Sequence, residues 1–432
     1  MRKLLLTTVI LLLANGLKAQ SPYHEIEQNI RCSAGIDMAY PGATQWKQTP
    51  APEGWKPFYI SHFGRYGSCY LPDAQSYEVP YRILLEADTL GKLTTLGHDI
   101  LLRLDRIRRD ADGRWGELTE LGGQQHRQIM RRMMNRFPAV FTDGAVVNGR
   151  STTDIPCILS MEHAMGQVAL NRPLVQIYHY ATGRDMSYLD RHGNTDVLAD
   201  STVRTAFEAL AQKCQSSQRL METLFCDADY VRDHVDADWF SELLFRIASS
   251  IQNTELRKTM TLYDLFTDQE VCCHWELQNA RTFATYGSYP PAPAPYPTPT
   301  TQCDLLRKMI AQADSYIRHQ THGAHLRYGS EHAFLPFLCL LNVNGCGMTL
   351  TDLDAIQKKG WADFKLCPMA ANIQFVFYAP EVMRADNVLV KVLLNEVEAR
   401  LPLKTTLYPY YHWTDVRDYY LKKIANFEEI DK

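Results

Sequence analysis

Apolar and polar positions along the chain follow two periods, and their order predicts an α/β protein. A short apolar strand is expected at Pro57 to Ser61, followed by a glycine-containing loop and a helical pattern from Ile83 through Arg108. A second helical pattern leads from Leu118 through Met134, and Ala145 to Asn148 is the next predicted strand. Strand, loop and helix in this order are typical of the beginning of an α/β layer.

A long helical stretch then interrupts this pattern. From about residue 160 to residue 283 the chain reads mostly as helix, which predicts a helical cap inserted over residues 161–300. The cap ends in a proline-rich segment from Tyr289 to Thr301, which can form neither regular element and is predicted to be an extended loop.

The α/β pattern resumes after the proline-rich segment. A helix is expected from Asp304 to His319, followed by the apolar runs Ala324 to Tyr328 and Leu335 to Leu341. Two further apolar runs, Ile373 to Tyr378 and Val388 to Leu394, are separated by a polar turn and predict an antiparallel hairpin at the sheet edge. The predicted fold is a mixed α/β sheet flanked by helices, formed by residues 20–160 and 301–432.

The first 19 residues stand apart from this pattern. Arg2 and Lys3 precede an apolar run from Leu4 to Leu13, and small or neutral residues precede Gln20. This is typical of a secretory signal peptide, and the run is too short to span a bilayer. We therefore expect an exported protein, periplasmic or secreted, without an integral membrane segment.

Charge and cysteine content bear on whether the chain binds nucleic acid, forms disulfides or holds zinc. Without residues 1–19 the chain carries 42 basic and 49 acidic residues, a net charge of −7, which does not suggest a nucleic-acid binder. Eleven cysteines in an exported chain permit disulfides, but the odd number leaves at least one thiol free or paired between chains. No CxxC pair is present, so a zinc site is not expected.

The loop after the first predicted strand carries the main candidate chemistry. Its residues Arg65-Tyr66-Gly67-Ser68-Cys69 resemble the Arg-His-Gly-x-Arg motif of the histidine acid phosphatases, in which the His attacks phosphorus and the two Arg hold phosphate oxygens. This alignment keeps Arg65 and Gly67. It places Tyr66 at the nucleophile position and Cys69 at the position of the second Arg.

Two further segments resemble the same family. Arg150-Ser151-Thr152 resembles its Arg-Ser-Thr segment, but Pro156 stands where relatives carry another phosphate-binding Arg. The segment that contains Arg327 and continues to Glu331 resembles the family pattern Leu-Arg-Phe-x-His-Asp, with Ser330 at the His position and Glu331 at the acid position. Arg65, Arg150 and Arg327 are the cations that the resemblance assigns to substrate binding, beside Cys69 and Ser330.

The resemblance extends over most of the chain after residue 20 and points to the inositol-polyphosphate phosphatase branch. It is supported by Gly116-Glu117-Leu118-Thr119, Gln125-His126-Arg127 and Tyr410-Tyr411-His412-Trp413. It implies hydrolysis of phosphomonoesters such as phytate, a phosphorylated small molecule as ligand, and no cofactor or metal. The replaced residues predict that this activity is impaired or lost.

A rival alignment sets Ser61-His62-Phe63-Gly64-Arg65 against the same motif. It keeps His62 as nucleophile and Arg65 as second donor, but loses the first Arg and puts Phe63 where Gly allows close approach of the backbone to phosphate. It predicts an active enzyme with Glu331 as acid. The other alignment predicts a non-catalytic protein that binds an anion, a sugar or a partner protein.

Other side chains of the chain have simpler interpretations. Tyr66 and Ser68 have no identifiable base, and Cys69 is expected to be buried or disulfide-bonded. His319, His322 and His325 recur at spacings of three, but Gly323 interrupts the helix that would align them as metal ligands. Arg65 and Arg150 could still form a modest anion site without catalysis.

Overall fold

A computed structural model describes residues 21–45, 47–192, 199–213, 217–289 and 298–430. The predicted signal peptide and most of the proline-rich segment lie outside these residues. In the described part of the chain, no helix is long and apolar enough to cross a membrane.

The described core contains an eight-stranded mixed sheet, which confirms the predicted fold class. The strands are β1 (Lys56–Arg65), β2 (Val146–Ser151), β3 (Gln176–Ala181), β4 (Gly323–Gly329), β5 (Asn372–Ala379), β6 (Leu389–Leu394), β7 (Val397–Glu398) and β8 (Tyr410–His412). Their order is β3-β2-β4-β1-β5-β6-β7, and β8 also pairs with β6. Strands β1 to β4 are parallel, and the pairs that involve β5 to β8 are antiparallel.

Helices surround this sheet. They are α1 (Pro22–Gln28), α2 (Gln75–Thr89), α3 (Thr95–Ala111), α4 (Glu120–Arg136), α5 (Ile155–Asn171), α6 (Gly183–Leu189), α7 (Ser201–Ala211), α8 (Gln218–Leu224), α9 (Ala228–His234), α10 (Ala237–Ser250), α11 (Asp268–Tyr286), α12 (Cys303–His319), α13 (Glu331–Leu341), α14 (Asp363–Leu366) and α15 (Trp413–Ile430).

Most predicted elements are present, with one clear error. The helical pattern from Ile83 through Arg108 is two helices, α2 and α3, rather than one. Gly91 takes a positive φ of 65° after α2, and the Thr94 side chain accepts a hydrogen bond from the Gly97 amide to cap α3. The apolar run Leu335 to Leu341 lies in helix α13, whereas the predicted hairpin is formed by β5 and β6.

The two faces of the sheet pack on different helices. On one face Ile60 contacts a methionine-rich layer from α4 and α5, which includes Met130 and Met161. On the other face Phe63 packs with helices α12, α13 and α15. Successive side chains of β1 therefore point to opposite faces, as a strand buried on both sides requires.

A separate helical layer covers one end of the sheet. Its apolar core joins α2 and α3 with α8 and α10, so two distant chain segments form it. The predicted cap range, 161–300, begins inside α5, and β3 within it pairs with β2 in the main sheet. The helical layer therefore includes residues 75–111, which lie outside the predicted cap range. The first part of that range, by contrast, contains β3 and belongs to the main sheet.

Cysteine residues are mostly reduced in this fold. Cys273 is disulfide-bonded, whereas nine other cysteines of the described residues are free thiols. Among the free thiols, Cys339 and Cys346 are both buried, and each donates to a backbone carbonyl of the same α13 region.

Candidate functional site

An open cleft of about 830 Å³ lies where the central parallel strands end. Tyr66 directly follows β1, Ser330 directly follows β4, and residues 153–156 follow β2 after one intervening residue. In α/β sheets the loops that leave the carboxyl ends of the strands converge at one edge, where ligands bind. The cleft is therefore the candidate site by position.

Most of the residues singled out by the sequence line this cleft, and three do not. Those that line it are Arg65, Tyr66, Cys69, Pro156, Ser330 and Glu331. Those that do not are His62, Arg150 and Arg327. The structure therefore brings together the residues at the replaced motif positions.

Arg65 is held by the protein itself. Only 1% of its side chain is exposed, and its Nε donates to Glu331 Oε2 at 3.1 Å. Nη1 donates to the carbonyls of Ile36 and Cys367 at 2.5 and 3.1 Å, and Nη2 donates to the Tyr66 hydroxyl at 3.3 Å. The guanidinium fork that would grip a phosphate is thus occupied by protein acceptors.

Tyr66 stands at the position of the nucleophile but is held protonated. Burial, and then the negative charge of Glu331, raise the pKa of the Tyr66 phenol well above its usual value. A phenol that keeps its proton at neutral pH is a poor nucleophile unless a base activates it. Its hydroxyl instead accepts from Arg65.

Glu331, at the acid position, is in the wrong protonation state for a general acid. Burial would raise the pKa of Glu331, but the Arg65 guanidinium and His332 lower it below its ordinary value. A general acid must carry a proton near the working pH. At neutral pH Glu331 is instead a carboxylate paired with Arg65.

The two positions that would carry further phosphate-binding Arg residues offer no cation. Burial raises the pKa of the Cys69 thiol to about 12, so it is neutral in the cleft. Pro156 lies in the first turn of α5, where its ring supplies neither a charge nor a backbone N–H.

The hydrogen-bond donors of the loop between Tyr66 and Cys69 are bound to side chains from other parts of the protein. The Gly67 amide donates to Ser160 Oγ at 3.1 Å, and the Ser68 amide donates to Gln125 Oε1 at 2.9 Å. The Ser68 hydroxyl donates to Asn253 Oδ1 at 2.7 Å. These amides are therefore satisfied by side chains from α4 and α5 rather than left to face a ligand.

His62, the rival nucleophile, lies on the face of β1 that packs on α4. It is 2% exposed, its ring centroid is 5.3 Å from that of Tyr328, and its Nδ1 has no hydrogen-bond partner. Burial, followed by repulsion from His126 and Arg327, lowers the pKa of His62 to about 3. A ligand in the cleft does not meet this ring, so the rival alignment lacks the contact that it needs.

The side chains of Arg327 and Arg150 contact residues of the sheet and of its neighbouring helix, and neither lines the cleft. Arg327 is 1% exposed and donates from Nη1 to Ser61 Oγ at 3.0 Å and to the His62 carbonyl at 3.1 Å. Arg150 lies 3.6 Å from Asp185 and stacks over the ring of Tyr180. Neither the assigned substrate cation on β4 nor that on β2 reaches the cleft.

Several residues that line the cleft were not predicted from the sequence, because most of them come from elements that are distant along the chain. They are Asp37 from the N-terminal segment, Trp115 between α3 and α4, Asp154 before α5, Asp190 and His192 after α6, Arg246 from α10 and His332 from α13. Two of them had a signal in the sequence: His332 directly follows Glu331 in the third motif, and Asp154 lies between Arg150 and Pro156 in the second. The others belong to no motif.

In the described residues, no group of three His, Cys, Asp or Glu side chains is arranged to hold a metal ion. Of the three spaced histidines, His319 bonds to the Ser315 carbonyl and His325 to the Tyr59 hydroxyl.

Comparison with known proteins gives matches among solved structures alone. No family model matches the chain, and no curated protein matches it. A multiple inositol polyphosphate phosphatase from Bifidobacterium longum, solved with inositol hexasulfate, aligns with a TM-score of 0.74 and 17% identity. The alignment covers 89% of this chain and 96% of that one.

Two phytases align less closely. The phytase of D. castellii gives a TM-score of 0.63 at 12% identity, covering 92% of this chain and 85% of that one. The Hafnia alvei phytase solved with tartrate gives 0.51 at 14% identity, covering 86% and 98%. At these identities the likeness establishes the fold, and the fold is the one that the sequence resemblance predicted.

Proposed function

We propose, from the histidine acid phosphatase fold that the chain shares with these structures, that it is an exported relative that has lost phosphohistidine catalysis. Its role would be that of a non-catalytic binding protein that uses the cleft. The ancestral activity in this interpretation is hydrolysis of phosphomonoesters of the inositol polyphosphate type, which the names of the similar structures suggest.

The observation that carries the proposal is the state of Tyr66. The side chain at the nucleophile position is a protonated phenol, hydrogen-bonded to Arg65. Phosphohistidine chemistry needs an imidazole there, in line with the leaving oxygen. Residues that act as a unit do not leave partial activity in proportion when several are replaced.

The electrostatic part of the mechanism is also missing. Phosphoryl transfer depends on cations that stabilise the nonbridging oxygens. At the two replaced donor positions the cleft presents Cys69 and Pro156, and the retained Arg65 is committed to Glu331. Loss of nucleophile and donors together supports loss of turnover rather than a change of substrate.

The alternative of an active enzyme that uses His62 has less support, since this ring lies outside the cleft. Release of inorganic phosphate from phytate and p-nitrophenyl phosphate separates the two. We expect no release by the wild type above buffer at any pH from acid to neutral.

Two variants complete this experiment. Turnover by the wild type that disappears in a folded His62→Gln variant would favour the rival alignment and overturn the proposal. A gain of phosphate release in the triple variant Tyr66→His/Cys69→Arg/Pro156→Arg would support it, because that variant restores the nucleophile and both donors on the same scaffold.

A further inference from the structure

The charge balance of the cleft is opposite to that of a polyanion site. Four carboxylates line it: Asp37, Asp154, Asp190 and Glu331. The lining has two guanidinium groups, those of Arg65 and Arg246. The lining therefore holds more carboxyl groups than cationic groups, although burial raises the pKa of Asp37. Such a lining does not attract a ligand with several phosphate groups.

Arg65 cannot reverse this balance. A guanidinium has five N–H donors, and four hydrogen bonds from Arg65 go to protein acceptors. One donor remains, so Arg65 can bind a phosphate in a bidentate way only by breaking at least one of these four hydrogen bonds.

Two other polar groups of the cleft can meet a ligand. Ser330 is 8% exposed, and its buried hydroxyl has no hydrogen-bond partner within the protein. Buried polar groups are normally satisfied, so this hydroxyl is suited to a ligand atom that donates or accepts. Arg246 lines the same cleft and is half-buried, and its charge lowers the pKa of Asp37 against the larger effect of burial.

An aromatic surface completes the lining. Trp115 is 45% exposed at the cleft, and Tyr66 and Tyr70 also line it. An exposed indole offers an apolar face beside polar groups, which suits the C–H face of a saturated ring whose hydroxyls lie at its edge.

We infer that the cleft binds a neutral polyhydroxylated ring, a cyclitol or sugar without phosphate groups. Its hydroxyls would donate to the carboxylates and accept from Arg246, while the ring packs on Trp115. A cationic ligand would suit the carboxylates but not the two guanidinium groups. The inference rests on the proposed loss of catalysis and names the class of ligand.

Three probes that share a six-membered carbocycle but differ in charge test this inference. They are myo-inositol, inositol hexakisphosphate and streptamine, a diaminocyclitol. Thermal unfolding of the mature chain should shift upward with millimolar myo-inositol and stay unchanged with the other two, because a ligand that binds the folded state stabilises it. The inference is overturned if myo-inositol does not stabilise the protein. It is also overturned if the hexakisphosphate or streptamine stabilises the protein.

Two tryptophan variants locate the binding. Trp115→Ala should weaken the affinity for myo-inositol about fivefold to tenfold, through loss of the ring contact. Trp239→Ala removes an indole of similar exposure, 48%, outside the cleft, and should leave the affinity unchanged. Equal loss in both variants contradicts the assigned site. Phosphate release in the same samples would instead refute the proposed function, so the two failures are distinguishable.

Discussion

Arg65 stands at a position of the resembled phosphatase motif, but its partners in this structure are groups of the protein itself. In the family motif this position binds phosphate, whereas here its guanidinium forms a buried pair with Glu331 and reaches Tyr66. A buried charge needs partners, so the pair makes each member dependent on the other for stability. The retained motif residues therefore support the fold of the cleft.

Replacing Glu331 by Gln should be strongly destabilising. It leaves the Arg65 charge 1% exposed without its carboxylate, and removal of one partner of a buried pair costs about 3–5 kcal/mol. Urea unfolding of wild type and variant measures the difference. Glu120→Gln is the control: this carboxylate is 61% exposed and pairs with Arg127, so it should change stability by less than about 1 kcal/mol. Equal effects of the two substitutions would contradict the role assigned to Glu331.

Motif spacing predicted the part of the site that lies close to the strand ends. Tyr66, Cys69, Pro156, Ser330 and Glu331 all line the cleft, because they follow parallel strands at fixed offsets. Two of the three assigned cations could not be placed in the same way, whereas Arg65, at the end of β1, does line the cleft. Side chains alternate along a strand, so a position inside β2 or β4 gives no assurance that Arg150 or Arg327 faces the cleft.

At the scale of elements, the glycine of the motif has a packing role. A side chain at Gly67 would place its Cβ 2.7 Å from the Cα of Gly122, in the first turn of α4. A Cβ at Gly122 would in turn lie 2.3 Å from the Ser68 carbonyl oxygen. The loop and α4 approach so closely that only glycine fits at this crossing.

Gly67→Ala should therefore be destabilising for reasons of packing alone. Because both clashing partners are backbone, we expect a loss of about 1–3 kcal/mol in the free energy of unfolding. Gly166→Ala is the matched control, since a Cβ at this exposed position of α5 meets nothing within 4 Å. There the better helix propensity of Ala should stabilise by about 0.5–1 kcal/mol. A neutral Gly67→Ala would show that the crossing can relax.

The elements themselves were largely predictable, and the errors have local causes. The strands β1, β4, β5 and β6 are short apolar runs buried on both faces, which the hydrophobic pattern shows directly. Strand β3 is largely exposed and lacks this signal, so it was not predicted. The separation of α2 from α3 depends on the positive φ of Gly91 and on a Thr94 cap. Both features lie within a pattern whose apolar period continues across the break.

At the scale of the molecule, two buried histidines make the fold sensitive to acid. Burial lowers the pKa of His62 and of His126 to about 3, with a further contribution from neighbouring cations and histidines. Both rings pack against the ring of Tyr328 and are neutral when folded. In the unfolded chain each titrates near about pH 6.5, so stability is lost as the pH falls below that value.

The pH dependence of unfolding should report these protons. Each histidine contributes a slope of about 1.4 kcal/mol per pH unit between roughly pH 6 and pH 4. Asp363 opposes this, because burial raises its pKa to about 6 and protonation then favours the folded state. The destabilisation of His126→Phe relative to wild type should shrink as the pH falls. Tyr328→Phe changes the same cluster without removing a histidine, and its effect should be constant. Parallel profiles for wild type and His126→Phe would contradict the assignment.

The proposed loss of phosphohistidine catalysis requires that no side chain of the cleft accepts a phosphoryl group, so it is tested most directly by looking for that group on the protein. Wild-type protein is mixed with p-nitrophenyl phosphate and quenched rapidly, and its intact mass is measured by mass spectrometry beside that of the Tyr66→His/Cys69→Arg/Pro156→Arg variant. We predict an unmodified mass for the wild type. An added phosphoryl group that maps to Tyr66, Cys69 or His62 would contradict the proposal.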